Sequence, residues 1–271
     1  MVWRYRNGEL KLNRTHIMGV INVTPDSFFA GGRCASPSLA LSRAREMERE
    51  GASVIDIGAQ STRPGSVQIS EEEEWARLSP VLEVLQGQLS VPISVDTFYP
   101  RVARLALENG AAIINDVSGG LSGEMAALAA EFEAGLVMMH TGGQEGTSSP
   151  AAVRSFFEQA LIVAEKQGLA RSFVCLDIGV GFGKTREKDR RLIAELSQIV
   201  KGLPPVALMC AASRKRVSCA NDETLPPEER LSGTLALHTV AQWNGARVLR
   251  VHDVKEAVLA ARNIDLLLKG E

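Results

Sequence analysis

Polar side chains that could do chemistry stand at the ends of short, mainly apolar segments of this 271-residue chain. Asp96 follows the run PISV and Asp177 follows FVCL. A carboxylate in such a position can accept two parallel hydrogen bonds from the amidine-like edge of a flat heterocycle. Asn115 can donate to and accept from the same ring, and Lys215 can donate to a ring oxygen or nitrogen. These four residues predict a site for a polar heterocycle.

A second group of residues predicts an anion site. Arg63 lies in the motif STRPG, and Arg250 and His252 lie in RVHD. Planar guanidinium groups bind phosphate or diphosphate in bidentate fashion, so this group suits a phosphorylated ligand. The alternative is that Arg250 pairs with Asp253 or with an inner carboxylate, and that His252 is a structural polar residue.

Five further polar residues have open or structural roles. Asp56 and Asp116 either contribute to the site or cap the following helix or bind loop amides. His140, which ends the segment MMH, is left open between a structural and a functional role. His16 and His238 are predicted to be structural.

The run GVGFGK (179–184) resembles a phosphate loop only superficially, because it lacks the spacing of a Walker A motif. We interpret its glycines as allowing the backbone to approach a flat ligand, with Phe182 available to cover it. The patterns HExxH and GxSxG and the EF-hand loop are absent from the sequence.

The elements that position these residues alternate regularly. Amphipathic helical segments such as SLALSRAREMEREG separate short apolar strands, which is typical of a parallel sheet buried on both faces. Eight such strands, without a GxGxxG turn after the first, favour a (β/α)₈ TIM barrel over an open sheet. A short N-terminal hairpin is predicted around Asn7 and Gly8, and residues 1–271 are predicted to form a single domain. The predicted strands lie near residues 16–23, 53–58, 92–96, 112–117, 135–140, 173–178, 205–211 and 247–252.

Composition narrows the function classes. The net charge is −2, and the basic residues are scattered, so a nucleic-acid partner is not expected. No apolar run is long enough to span a bilayer, and the N-terminal residues lack the apolar core of a signal peptide. We therefore expect a cytoplasmic protein without a membrane partner. The cysteines are predicted to be reduced thiols rather than metal ligands or disulfides, and they are Cys34, Cys175, Cys210 and Cys219.

Two loops are long and rich in Gly and Ser, over 22–38 and 60–70. Long loops in a compact domain are usually functional or disordered, and both loops follow strands, at the end of a barrel where active sites form. After the second loop, Ser70 and Glu73 have the spacing of a capping box, so a helix is predicted to begin there.

Together these segments resemble the dihydropteroate synthase family, which joins p-aminobenzoate to a dihydropterin. The matching motifs keep the family's order between residues 17 and 254, and NVTPDSF, STRPG and SRK with RVHD are the most specific. The resemblance implies a (β/α)₈ barrel, a homodimer and Mg²⁺ as cofactor. It implies 6-hydroxymethyl-7,8-dihydropterin diphosphate and p-aminobenzoate as substrates, 7,8-dihydropteroate and diphosphate as products, and a target of sulfonamides.

The resemblance also implies roles for individual residues. The pterin would be held by Asp96, Asn115, Asp177 and Lys215, with Met139 and Phe182 lining its pocket. Asn22 would ligate Mg²⁺, and the diphosphate would be bound by Thr62, Arg63, Arg250 and His252. The p-aminobenzoate pocket would be bordered by Phe28, Pro64 and Ser213. The residues implied for catalysis are Asn22, Arg63, Lys215, Arg250 and His252.

The chain departs from the family pattern mainly in its loops. Phe29 and Ala30 stand where the family typically has an aspartate, and Gln60 and Ile178 replace a glutamate and a proline. The segment TGGQEGTSSP after His140 also differs, as do residues 98–100. These departures leave open a non-catalytic pterin-binding paralogue. A third alternative is a pterin-dependent methyltransferase on the same barrel, which would have no use for the diphosphate motifs.

Overall fold

The computed structural model describes residues 1–23, 36–60, 68–142, 148–222 and 224–270. Its strands are β1 Val2–Tyr5, β2 Gly8–Lys11, β3 His16–Asn22, β4 Val54–Gly58, β5 Ile93–Asp96, β6 Ile113–Asp116, β7 Gly135–Met139, β8 Val174–Asp177, β9 Ala207–Cys210 and β10 Val248–Val251. Its α-helices are α1 Pro37–Glu50, α2 Glu71–Leu85, α3 Pro100–Glu108, α4 Glu124–Phe132, α5 Pro150–Lys166, α6 Arg186–Ala194, α7 Leu196–Val200, α8 Leu231–Trp243 and α9 Val254–Lys269. Within these ranges no helix has both the length and the apolar character needed to cross a membrane.

Strands β3 to β10 form a closed barrel in which each strand pairs in parallel with the next, and β10 closes the ring against β3. The strands are apolar over most of their length because one face packs against the helices and the other faces the barrel interior. The predicted (β/α)₈ TIM barrel is confirmed, and all eight predicted strands are present.

The predicted N-terminal hairpin is also confirmed. β1 and β2 pair antiparallel, and Asn7 adopts a positive φ of 66° in the turn between them. Trp3 is fully buried, packs in one apolar cluster with Met18 and Val248, and donates from Nε1 to the Phe173 carbonyl at 3.0 Å. The hairpin therefore covers the amino-terminal end of the barrel.

The helix predicted after the second long loop begins as expected. Ser70 Oγ accepts a hydrogen bond from the Glu73 amide at 3.2 Å, which caps α2. The Glu73 carboxylate forms an ion pair with Arg77 at 2.5 Å, one turn further along the helix. Glu73 therefore stabilises α2 through this pair on its surface. Glu74 on the same helix is buried instead, and burial raises its pKa to about 7.

Alternation along the strands divides the barrel interior into two layers, because successive side chains point to opposite faces of a strand. The amino-terminal layer is apolar and comprises Met18, Val54, Ile113, Val137, Cys175, Met209 and Val248. Two residues further along their strands stand Asp56, Asn115, Met139, Asp177 and Arg250. We call the amino-terminal apolar layer the floor, and the layer that contains Asp56, Asn115, Asp177 and Arg250 the upper layer.

Three cysteines are described, and Cys175, Cys210 and Cys219 are free and buried. This agrees with their prediction as reduced thiols. Cys34 lies outside the described residues.

Candidate active site

An ion-pair network crosses the upper layer of the barrel. Arg250 on β10 donates from Nε to Asp56 Oδ2 and from Nη2 to Asp96 Oδ2, both at 2.7 Å. Asp96 in turn lies in register with Asn115 on the neighbouring strand β6. The network therefore brings together residues that are up to 194 positions apart in the sequence.

Asp56 is the centre of this network. Its side chain is fully buried, and Oδ2 also accepts a hydrogen bond from Asn115 Nδ2 at 3.2 Å. The helix that follows β4 is capped by Ser70 rather than by Asp56. Of the two roles considered from the sequence, the contribution to the site is therefore the one that the geometry supports.

Arg250 adopts one of the alternatives considered from the sequence, since it pairs with inner carboxylates. Asp253 pairs instead with Arg214, from Nε to Oδ2 at 2.9 Å and from Nη2 to Oδ1 at 2.5 Å. Burial raises the pKa of Asp96, and the Arg250 guanidinium opposes that shift. Arg250 is thus a cation at the rim of the interior whose charge is shared between two carboxylates.

His252 lies beside Ser213, which the resemblance assigned to another pocket. Ser213 Oγ is 3.0 Å from His252 Nδ1 and accepts from the His252 amide at 3.2 Å. Burial, followed by the charges of Arg250 and Arg214, lowers the pKa of His252 to about 3. A neutral His252 would add a hydrogen-bonding group rather than a charge to the predicted anion site, and its role in that site stays a prediction. If the Ser213 hydroxyl donates to Nδ1, the neutral ring carries its hydrogen on Nε2.

Asp177 and Lys215 form the opposite side of the interior. Asp177 ends β8, and burial raises its pKa while the Lys215 charge opposes the shift. Lys215 Nζ donates to the Val180 carbonyl at 2.7 Å and lies 4.6 Å from the centre of the Phe182 ring. Burial lowers the pKa of Lys215 to about 8. Phe182 and Lys215 therefore form one wall, and the fully buried Met139 on β7 lies in register with Asp177.

The glycine-rich loop after β8 is held by Lys184, a residue to which the sequence assigned no role. Its Nζ donates to the carbonyls of His140, Gly179 and Phe182 at 3.0, 2.7 and 3.2 Å. Gly179 has φ 64°, and a Cβ there would stand 1.9 Å from the His140 carbonyl oxygen. Gly179 therefore allows a close approach to the end of β7, and the interpretation that the glycines of this run let the backbone approach a ligand stays a prediction.

Other polar candidates lie outside the upper layer. Asp116 Oδ1 accepts from the Ser118 amide at 2.8 Å, so it binds a loop amide, as considered from the sequence. The predicted structural roles of His16 and His238 agree with their contacts, to Ser53 Oγ at 3.0 Å and to the Ala212 amide at 3.0 Å. His140 is buried and makes an edge contact with the Phe156 ring, with 5.2 Å between the ring centres.

Asn22, the predicted Mg²⁺ ligand, ends β3 beside Gly58. A Cβ on Gly58 would stand 3.8 Å from Asn22 Oδ1 and 3.7 Å from Asp96 Oδ2, so both oxygens border the space that this glycine leaves. Among the described residues, no group of three or more His, Cys, Asp or Glu side chains could hold a metal ion. The predicted residues Phe28, Thr62, Arg63 and Pro64 lie outside the described residues.

Comparison with known proteins agrees with this geometry. A family model described as pterin binding enzyme matches residues 18–252. The dihydropteroate synthase of Bacillus subtilis (strain 168) is 39% identical over 258 residues, which cover 94% of this chain and 89% of that protein. The structure of the Yersinia pestis dihydropteroate synthase with a sulfonamide drug complex has a TM-score of 0.89 at 34% identity and covers 99% of this chain and 100% of that one.

A second solved structure carries a named small molecule. The Xanthomonas albilineans dihydropteroate synthase with 4-aminobenzoic acid has a TM-score of 0.86 at 35% identity and covers 96% of this chain and 95% of that one. The family model covers far more than half of the chain, and the relatives match over almost its whole length. The chain therefore belongs to the pterin-binding enzyme family and, within it, to the dihydropteroate synthases, transferases of folate biosynthesis.

Proposed function

We propose that this chain condenses 6-hydroxymethyl-7,8-dihydropterin diphosphate with p-aminobenzoate to give 7,8-dihydropteroate and diphosphate. The observation that carries the proposal is the upper layer of the barrel, where Asp96, Asn115, Asp177 and Lys215 converge in a chain of this family. The related Xanthomonas enzyme, whose structure holds 4-aminobenzoic acid, supports the second substrate.

The strand order supports a definite orientation of the pterin. Asn115 on β6 and Lys215 after β9 stand on opposite sides of Asp177 on β8. In a pterin, the edge formed by N3 and the 2-amino group lies between the O4 and N5 side and the N1 and N8 side. If Asp177 accepts from the N3 edge, Lys215 suits O4 and N5, because it only donates and both of these atoms accept, and Asn115 then meets N1 and N8.

The chemistry then requires charge stabilisation rather than a side-chain nucleophile. The bond between the pterin methylene carbon and the diphosphate oxygen breaks, and its electron pair leaves with the diphosphate. The amine nitrogen of p-aminobenzoate bonds to that carbon and loses a proton. Arg63, Arg250 and the neutral His252 are proposed to hold the diphosphate, two by charge and one as an N–H donor.

The residues around Asn22 fit a magnesium ion that arrives with the diphosphate. Mg²⁺ keeps several waters and is usually bound by one or two protein oxygens together with substrate phosphates. Asn22 Oδ1 borders the space beside Gly58 and would supply such an oxygen. When bound, the ion would neutralise the charge that develops on the leaving diphosphate.

A homodimer is proposed on the basis of the resemblance and of an exposed apolar surface on α8 and α9. Trp243 is 59% exposed and Leu259 is 65% exposed, and Leu267 on the same helix as Leu259 is 61% exposed. Large apolar side chains grouped on neighbouring helices are typical of surfaces that pair with another protein. Light scattering of the purified protein at several concentrations measures the molar mass, and a monomer at all concentrations would contradict the proposal.

The experiment that tests the proposed reaction is diphosphate release from the dihydropterin diphosphate with Mg²⁺, with and without p-aminobenzoate. Release that depends on p-aminobenzoate and yields dihydropteroate supports the synthase. Binding of the dihydropterin diphosphate without product would identify the non-catalytic paralogue, which the departures at Phe29 and Ala30 keep as the second candidate.

The diphosphate role of Arg63 can be tested by Arg63→Ala. We expect turnover of the pterin diphosphate to fall by a factor of about 10 to 150, since a charge-assisted hydrogen bond contributes about 1.5 to 3 kcal/mol. Calorimetry with 6-hydroxymethyl-7,8-dihydropterin, which lacks the diphosphate, should show nearly unchanged binding. Equal losses with both ligands would contradict the assigned role.

A further inference from the structure

We propose that Asp56 is a positioning residue that makes this site selective for the 7,8-dihydro form of the pterin, because it fixes the orientation of the Asn115 amide. The proposal rests on the proposed function. In this proposal Asp56 acts on the pterin ring through Asn115, whose Nδ2 donates to its carboxylate. Nothing in its position in the sequence distinguishes it from the structural Asp116.

The orientation of Asn115 follows from the chemistry of its partner. Asp56 forms an ion pair with Arg250, with 2.6 Å between Nη2 and Oδ2, and an ionised carboxylate only accepts hydrogen bonds. The side of the Asn115 amide that faces Asp56 must therefore be its nitrogen, which lies 3.2 Å from Oδ2. The amide oxygen points away from Asp56, and within the described part of the chain it is buried without a hydrogen-bond partner.

A buried acceptor without a partner is costly, so this oxygen favours a ligand that brings an N–H group to it. The second N–H of the same amide remains available to an acceptor. The Asn115 amide can therefore bind a ligand edge on which an acceptor and a donor are neighbours, the acceptor at its N–H and the donor at its oxygen. A ligand with two acceptors at that edge would place a lone pair against the amide oxygen.

The two oxidation states of a pterin differ at that edge. The strand order puts Asn115 and Lys215 on opposite sides of Asp177. With the N3 edge on Asp177 and the acceptors O4 and N5 on Lys215, which only donates, the N1 and N8 side of the ring faces Asn115. In the 7,8-dihydro ring N1 is an acceptor and N8 carries a hydrogen, which matches the fixed amide. In the fully oxidised ring both nitrogens are acceptors. The amide orientation set by Asp56 therefore favours the dihydropterin over the oxidised pterin.

The test compares two ligands that differ by two hydrogens, one at N8 and one at C7. Calorimetry measures the Kd of 6-hydroxymethyl-7,8-dihydropterin and of 6-hydroxymethylpterin for the wild type and for Asp56→Asn. An asparagine at position 56 both donates and accepts, so it releases the Asn115 amide to turn. We expect the wild type to prefer the dihydropterin by about tenfold or more, and Asp56→Asn to show a preference within about twofold.

A ratio of two affinities is insensitive to partial loss of folded protein, because inactive protein lowers the number of sites for both ligands. Asp116→Asn is the matched control, since Asp116 is equally buried but binds the Ser118 amide outside the upper layer. It should keep the wild-type ratio. In an Asn115→Ala background the Asp56→Asn change should no longer alter the ratio, because its effect passes through the amide.

Three outcomes would overturn the proposal. The first is a wild-type ratio in Asp56→Asn, and the second is an equal drop in Asp116→Asn. The third is a drop that persists in the Asn115→Ala background, which would assign the effect to Arg250 instead. A wild type that binds neither pterin would be a failure of the proposed function itself, and so the two failures are distinguishable.

Discussion

The two ends of the barrel interior are made by the same strands, yet their chemistry is opposite. At the amino-terminal end the inward side chains are apolar and are covered by Trp3. Two residues further along, four of the inward side chains carry a charge or an amide. The pairs that show this step are Val54 with Asp56, Ile113 with Asn115, Cys175 with Asp177 and Val248 with Arg250.

This difference separates stability from function within single strands. The floor can be fully apolar because it has no ligand to bind, and its burial contributes stability. The upper layer places several charges in a buried space, where burial raises the pKa of Asp177 and lowers that of Lys215. Changes in the floor should therefore affect folding, and changes two residues away should affect binding.

The largest expected effect is a loss of stability from a change at Trp3, which covers the floor. Trp3→Ala removes a fully buried indole, and we expect it to lower the free energy of unfolding by about 3 to 5 kcal/mol. Denaturant titration measures this change. Calorimetry on the folded variant should show dihydropterin affinity close to that of the wild type, and a large loss of affinity would break the separation between the two layers.

The next effect is on the upper layer. Asp177→Asn removes a charge-assisted hydrogen bond to the pterin, and the dihydropterin Kd should rise by a factor of about 10 to 150. Asp116→Asn changes an equally buried carboxylate on the helix-facing side of β6 and should leave the Kd nearly unchanged. If both variants bound the pterin equally well, the inward position of Asp177 would not matter.

The smallest expected effect is a pH dependence that runs in opposite directions for binding and stability. The pKa of Lys215 is lowered by burial to about 8, from 10.5 in the unfolded chain. Pterin affinity should fall as pH rises through about 8, because Lys215 loses its positive charge and with it the charge-assisted hydrogen bond to the ring. The unfolded chain binds the proton more tightly between these values, so the Lys215 contribution to stability rises with pH there.

Lys215→Met removes this group and keeps an unbranched apolar side chain. Pterin affinity and the free energy of unfolding are measured for both proteins from pH 7 to about 10. The fall in affinity and the rise in stability that come from Lys215 should be present in the wild type and absent from Lys215→Met. Wild-type affinity that does not fall above pH 8 would show that the Lys215 charge has no part in pterin binding.

The barrel could be predicted from the sequence because the patterns that indicate its strands and helices are local. Apolar strand segments, amphipathic helical segments and the cap at Ser70 each depend on neighbouring residues, and all of these predictions are confirmed. The convergence of Asp96, Asn115 and Arg250 also followed from their positions at strand ends, since parallel strands of a barrel end on one side.

The features of the site that the sequence did not predict depend on contacts between residues that are distant in the chain. Asp56 and Asp116 read alike in the sequence, and only the direction of each side chain from its strand separates them. The lowered pKa of His252 depends on burial and on the charges of Arg250 and Arg214, which no local pattern reveals. The close approach of Gly179 to the His140 carbonyl joins two separate strand ends, so no local pattern indicated it.

The most direct test is a crystal structure of the protein with 6-hydroxymethyl-7,8-dihydropterin. We expect the ring in the upper layer, with its N3 edge on Asp177, O4 on the side of Lys215, and N8 facing the Asn115 amide oxygen. A ring bound elsewhere, or one with its N3 edge turned away from Asp177, would contradict the assignment of this end of the barrel as the pterin site.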